Sequence, residues 1–141
     1  MQRQSIQSAL PGVPDGYSVE APSAGEEDSP YLVFSRSYAG PENCGFDLSI
    51  SMGDPSIDEY RQMIQSPASV SLMEDTKIIE FKSGFPALEK YSSSDGTYER
   101  HIILGNNLMV VVMGHGISNR TAIDTFCDAI DLGRIQSELR Q

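Results

Sequence analysis

Residues 76–115 consist of four short, mostly apolar segments that are separated only by turns of a few residues. The turn signals are Ser-Gly at 83–84, Asp-Gly at 95–96 and Gly-Asn-Asn at 105–107. Connections this short join neighbouring strands that run antiparallel. The chain therefore predicts a four-stranded antiparallel meander, with strands over residues 76–82, 85–92, 97–104 and 108–115.

The last of these segments, "LMVVVMGH", is apolar at successive positions. A strand with this pattern is buried on both sides. We expect it to lie in the middle of the sheet, covered on both faces or nearly so. Gly114 and Gly116 enclose His115, and we expect the backbone to turn there toward the last helix.

Three strands and a helix are predicted before the meander. Residues 17–22 and 31–38 indicate two of the strands. The segment 46–52 alternates apolar with polar residues, which is typical of a strand with one face in water. Residues 54–66 favour a helix, because their apolar residues fall on one stripe and Pro67 ends it; the stripe contains Ile57, Tyr60 and Ile64.

A second helix is predicted after the meander, beginning near residue 118. We expect Gly133 to end it in a left-handed cap. A last amphipathic turn docks through Ile135 and Leu139. Strands and helices are thus segregated, which predicts an α+β fold with an antiparallel sheet covered by helices. The 141 residues fit one domain over 16–141, after a polar, proline-containing tether at 1–15.

The chain is acidic, with 20 Asp and Glu against 10 Lys and Arg and a net charge of −10. Such a surface repels phosphate backbones, so we predict no nucleic-acid binding. No run approaches the ~20 apolar residues of a membrane span, and we expect no membrane insertion. The first ten residues lack the apolar segment of a signal peptide. The chain is therefore expected to be either cytoplasmic or exported with its leader removed.

Cys44 and Cys127 lie 83 positions apart and form no Cys-x-x-Cys motif. Two cysteines do not make a zinc site. In an exported chain they are a candidate disulfide. The alternative is that Cys127 is a buried small residue and Cys44 an ordinary loop thiol.

The two histidines fall on adjacent strands of the meander. His101 is expected opposite Val110, Val111 or Val112, which leaves His115 about 10–15 Å away at ~3.3 Å per residue. They cannot share a metal, and no third ligand has suitable spacing. Phosphate-binding glycine loops and nucleophile motifs are absent as well. We therefore predict neither a metal nor another cofactor.

Glu89 and Glu99 flank the turn at 95–96, and pairing across it places them at nearly the same level. Two carboxylates a few ångströms apart are able to act as an acid/base pair. The alternative interpretation is a charged surface that they share with Lys90 and Arg100.

The short motifs "LPGVPDG" at 10–16, "GFPA" at 84–87, "GNNLMV" at 105–110 and "AIDL" at 129–132 resemble those of a group of small bacterial exported proteins of unknown function. The order of elements is similar to PsbP-like domains. This resemblance implies export, a sandwich of sheet and helices, and an accessory or binding role, and it carries no catalytic residues. The matching residues are Leu10, Pro11, Gly16, Gly84, Ala87, Gly105, Asn106, Val110, Ala129, Ile130, Asp131 and Leu132.

Three functions remain in consideration. The first is a non-enzymatic binding module for another protein or a small ligand. Its candidate contacts lie on the exposed side or an end of the sheet and are Tyr31, Tyr38, Tyr91 and Tyr98. The second is an inhibitor or immunity-type protein whose acidic surface covers a basic partner. The third is a small hydrolase that uses Glu89, Glu99 or His101.

Overall fold

A computed structural model of the chain contains one antiparallel sheet of seven strands in the order β1-β2-β3-β7-β6-β5-β4. It describes Leu10, Gly12 and residues 16–20, 31–80, 84–92, 94, 96–105, 107–117 and 120–139. The strands are β1 (Ser18–Glu20), β2 (Leu32–Ala39), β3 (Gly45–Met52), β4 (Thr76–Glu80), β5 (Pro86–Ser92), β6 (Thr97–Leu104) and β7 (Leu108–His115).

The predicted meander is confirmed, because β4 to β7 pair in sequence with antiparallel registers. The expected central position of "LMVVVMGH" is confirmed too. β7 is the fourth of the seven strands and pairs with β3 on one side and β6 on the other. Gly114 is still part of this strand, and the turn follows at Gly116, whose φ is +67°.

Four helices pack around the sheet: α1 (Ser56–Ile64), α2 (Pro67–Val70), α3 (Arg120–Asp128) and α4 (Leu132–Leu139). The prediction that Gly133 ends the last long helix is wrong, since Gly133 is the second residue of α4. The side chain of Asp131 explains the break between α3 and α4. Its Oδ1 accepts the backbone N–H of Arg134 at 3.1 Å and caps a new helix. Ile135 and Leu139 dock in the core as expected.

The main hydrophobic core lies between α3, α4 and one face of the sheet, which we call the core face. Alternation along β3 places Phe46, Leu48 and Ile50 on this face. The rings of Phe46 and Phe126 stack with centroids 4.3 Å apart. Leu10, within the predicted tether, is buried in the same core. The rest of that tether, apart from Gly12, lies outside the described residues.

The opposite face of the sheet is covered over only part of its width. Ile57 of α1 forms a small buried cluster with Ile103 and Met109. Val111 packs against this cluster but is only half-buried, and Met113 is half-buried as well. The expected burial of β7 on both faces is therefore found at its beginning, whereas near its end one face is only half-buried.

The α+β class with an antiparallel sheet is confirmed, whereas the PsbP-like sandwich stays a prediction. Among the described residues, no helix has the length and apolar character needed to cross a bilayer.

Candidate functional site

Glu99, Arg100 and His101 are successive residues of β6, so their side chains alternate between the two faces of the sheet. Arg100 lies opposite Glu89, whereas Glu99 lies opposite Lys90. Directly opposite residues of an antiparallel pair share a face. Glu89 and Glu99 therefore lie on opposite faces, and the acid/base pair considered from the sequence does not form. The physical reason is register, because a shift of one residue moves a side chain to the other face.

A cluster of ions, which we call the ion cluster, lies on the core face; it consists of the buried Glu89 and Arg100 and the partly exposed Arg120 and Asp124. Glu89 and Arg100 are each only 1% exposed. The Nε of Arg100 donates to Oε1 of Glu89 at 3.0 Å, and its Nη2 also donates to Asp124. Arg120 reaches the second oxygen of Glu89 at 3.3 Å. Glu89 and Arg100 are thus salt-bridged, as the alternative interpretation allows, but they are buried and do not belong to an exposed surface.

This ion cluster holds α3 against the sheet and leaves little room for chemistry. Burial opposes the charge of Arg100, but hydrogen bonds to Asp124 and Glu89 outweigh it and raise the Arg100 pKa. Burial also raises the pKa of the neighbouring Cys127 thiol to about 12, which keeps that thiol protonated and unreactive at neutral pH.

A second polar group lies on the opposite face, under α1. We call it the stacked cluster; it consists of Tyr60, Lys90, Glu99 and His101. The rings of Tyr60 and His101 stack with centroids 4.0 Å apart, and Nζ of Lys90 lies 5.2 Å from the Tyr60 centroid. His101 hydrogen-bonds through Nε2 to Glu99.

The stacked cluster is poorly suited to proton transfer with a substrate. His101 is 5% exposed, and its Nδ1 is buried with no hydrogen-bond partner. The hydrogen bond from His101 lowers the pKa of Glu99 against the opposing effect of burial, with the charges of His101 and Lys90 adding to the lowering. Glu99 is thus a carboxylate at neutral pH, already engaged by the imidazole.

α1 packs over Met109 at the beginning of β7 and reaches Val111. We call the rest of this face, formed by β2, β3 and the end of β7, the open face, and no described helix lies over it. Ser35 lies directly opposite Ser49, and Ser37 lies opposite Asp47. Asp47 in turn lies opposite Met113. Residues of these strands line a shallow groove of about 270 Å³, where Arg36 and Leu48 border it although they belong to the core face; the groove residues are Leu32, Ser35, Arg36, Ser37, Asp47, Leu48, Ser49, Ser51, Val111 and Met113.

One end of the open face carries His115. Its Nε2 lies 3.7 Å from Oδ2 of Asp47, and both side chains are nearly half exposed. His101 lies opposite Val111, as predicted, so His115 is four residues farther along β7. Among the described residues, no group of three His, Cys, Asp or Glu side chains is placed to hold a metal ion.

The two cysteines are free, so the candidate disulfide is absent from the structure. Cys127 is buried, in agreement with the alternative interpretation. The Sγ of Cys44 lies 3.4 Å from the hydroxyl oxygen of Tyr17. The hydrogen bond with Cys44, burial and the electrostatic interaction with Cys44 together raise the pKa of Tyr17 to about 12.

The tyrosines named as candidate contacts do not form one surface. Tyr38 is 1% exposed and packs edge-on against Phe126, so its assignment as a surface contact is wrong. It shares the core face with Phe46 because the two are register partners. Tyr91 and Tyr98 are half-buried and pack together with centroids 4.4 Å apart, and Tyr31 is half-buried.

Sequence reasoning missed the ion cluster; it expected an exposed side of the sheet but did not identify β2, β3 and β7 as the strands that form it. Each of the two leaves a signal in the sequence. Arg100 has the same parity along β6 as Ile102 and Leu104, which predicts its burial on the core face. The open face contains two Ser-x-Ser segments, 35–37 and 49–51. They lie side by side because of the register between β2 and β3, which the sequence does not show.

Comparisons with known protein families, with curated proteins and with solved structures found no match to this chain.

Proposed function

We propose that this protein is an exported, non-enzymatic binding module that contacts another protein through its open face. The observation that carries this proposal is the uneven covering of one sheet face. α1 covers the part with Ile103 and Met109, while Val111, Met113 and the serines beside them are only partly buried.

The composition of the open face favours binding over simple solvation. Half-buried Val111, Met113 and Leu32 provide apolar area, and the serine hydroxyls around them offer donors and acceptors. Apolar contacts with a polar surround are typical of protein interfaces. Export is proposed from the resemblance of the short motifs alone, and fractionation of cells that express the full-length gene tests it.

The hydrolase alternative is less well supported. Both oxygens of Glu89 face guanidinium groups in a buried site. Glu99 and His101 bind each other, and His101 is covered by Tyr60. A general acid or base must be within hydrogen-bond reach of its substrate, and neither carboxylate has a free path to one in this arrangement.

The acidic inhibitor is the second candidate function, because exposed carboxylates lie on the outer sides of the helices. Asp58 and Glu59 of α1 and Asp128 of α3 are all exposed. A partner held by such charges is released by salt, since the Debye length falls to ~3 Å at 1 M. A partner held by the open face loses less affinity, because apolar contacts with Val111, Met113 and Leu32 contribute as well as charge.

Affinity capture with matched variants tests the proposal. Immobilised wild-type protein and two open-face variants, Ser49→Arg and Ser37→Arg, are incubated with an extract of the source cells. Ser69→Arg, at an exposed position of α2, is the control. A partner retained by the wild type and the control and lost from both open-face variants, at unchanged melting temperature, supports the proposal. Equal retention by all four proteins contradicts it.

A further inference from the structure

We infer that the partner presents a lysine or arginine side chain to the open face, with its aliphatic part along Met113 and its cationic head group at Asp47. This inference rests on the proposed function and specifies the chemistry that the open face recognises. It is carried by the register of three strands and by the placement of the neighbouring charges.

Asp47, Met113 and Glu99 form one row across β3, β7 and β6. Met113 is the register partner of Asp47 on one side and of Glu99 on the other. Neighbouring strands lie ~4.8 Å apart, so the backbones of Asp47 and Glu99 are about 10 Å apart, one on each side of Met113. A long side chain that lies over Met113 therefore has a carboxylate on either side of it.

Asp47 provides the accessible negative charge of this row, whereas Glu99 is held by His101 and lies opposite Lys90. Asp47 is 47% exposed, and the imidazole of His115 lies 3.7 Å from it. Arg36 also lines the groove, but its guanidinium lies over the rings of Phe34 and Tyr38, which belong to the core side of β2. Glu99 is 29% exposed and bound to His101. The chain's net charge of −10 adds to the attraction for a cation.

The surface of the row suits the stem of such a side chain as well as its head group. Lysine and arginine pack their methylene chains on apolar surface while the charge stays in water. Met113 offers a flexible, polarisable thioether, and the half-buried Val111 lies two residues away on the same face. The row therefore provides an apolar floor with a carboxylate at its edge.

Titration of the labelled protein by NMR with two short peptides tests this inference. The probes are acetyl-Gly-Arg-Gly-amide and the same peptide with citrulline, which has nearly the shape of arginine without its charge. We expect the arginine peptide to shift the amide signals of Asp47, Ser49 and Met113. In Asp47→Asn we expect about three- to five-fold weaker binding, and in the control Asp128→Asn we expect no change.

Three outcomes overturn the inference. If citrulline binds the open face as well as arginine does, the cation is irrelevant, while the proposed function stands. If Asp128→Asn weakens binding as much as Asp47→Asn, the attraction comes from net charge alone. If millimolar arginine peptide leaves the open-face signals unchanged, the open face has no affinity for this side chain. The proposed function itself fails only if Ser49→Arg and Ser37→Arg retain every partner that the wild type captures.

Discussion

The ion cluster and the stacked cluster contain adjacent residues of β6, Arg100 and His101, but they differ in the face they occupy and in the partners of their charged groups. Arg100 points into the core and meets two carboxylates and a second guanidinium nearby. His101, the next residue, points to the other face and meets a half-buried carboxylate and an aromatic ring. The first cluster lies within the main core, and the second lies under one short helix.

The difference shows how the surroundings decide what a charged group does for stability. A buried ion is costly unless its partners are in place, so the ion cluster fixes where α3 sits on the sheet. The stacked cluster is partly hydrated, and each of its contacts contributes less. We therefore expect the core face to be rigid and the α1 side to be the part of the molecule that opens first.

The largest effect is expected from Arg100→Met. This change leaves Glu89 buried with only Arg120 as a cationic partner, and we expect it to lower the free energy of unfolding by about 3–5 kcal/mol. Urea denaturation measures the loss. The double variant Glu89→Met/Arg100→Met is the control, and it should regain most of the stability because no buried carboxylate remains; Asp124 is partly exposed and keeps Arg120 nearby. A single variant that loses under about 1 kcal/mol would place the ion cluster on a par with a surface pair.

A smaller effect is expected from Tyr60→Ala, which removes the ring that covers His101. Loss of the stacked pair and of buried area should cost about 2 kcal/mol, and amide exchange should speed up in α1 before it does in α3. Gln62→Ala, at an exposed position of α1, should stay within about 0.5 kcal/mol of the wild type. Equal acceleration of exchange in both helices would contradict the expected order of opening.

Glu99→Gln tests the contribution of the stacked cluster to stability through its dependence on pH. The Glu99 pKa is lowered in the folded protein, so its contribution is present above the pKa of the unfolded chain. It is lost as the pH falls through the lower, folded value. At pH 7 we expect the wild type to be about 1 kcal/mol more stable than Glu99→Gln. The difference should shrink below about pH 4; a difference that grows on acidification would refute the assignment.

The smallest effect is expected from Lys90→Gln, since its ammonium lies 5.2 Å from the Tyr60 ring at a half-buried position. We expect a loss of about 0.5 kcal/mol by urea denaturation. In the Tyr60→Ala background the same substitution should cost less, and the remaining loss reflects the attraction between Lys90 and Glu99. An undiminished loss there would show that the Tyr60 ring contributes nothing to the effect of Lys90.

The amino-acid pattern alone determined the strands, the meander and the central position of β7. Alternation with period two and turns of two to four residues are local properties, and they leave few topologies to choose from. The break before α4 was predicted at Gly133, a few residues too late, because Gly133 resembles a helix end, whereas the carboxylate of Asp131 starts a new helix.

Only the tertiary structure decided the sites. The sequence places Glu89 and Glu99 at similar levels, but a register offset of one residue puts them on opposite faces. The open face likewise depends on how far α1 reaches across β7, which no local pattern specifies. Local propensities set which residues form strands, while long-range pairing and packing set which side chains meet, because those contacts join residues far apart in the chain.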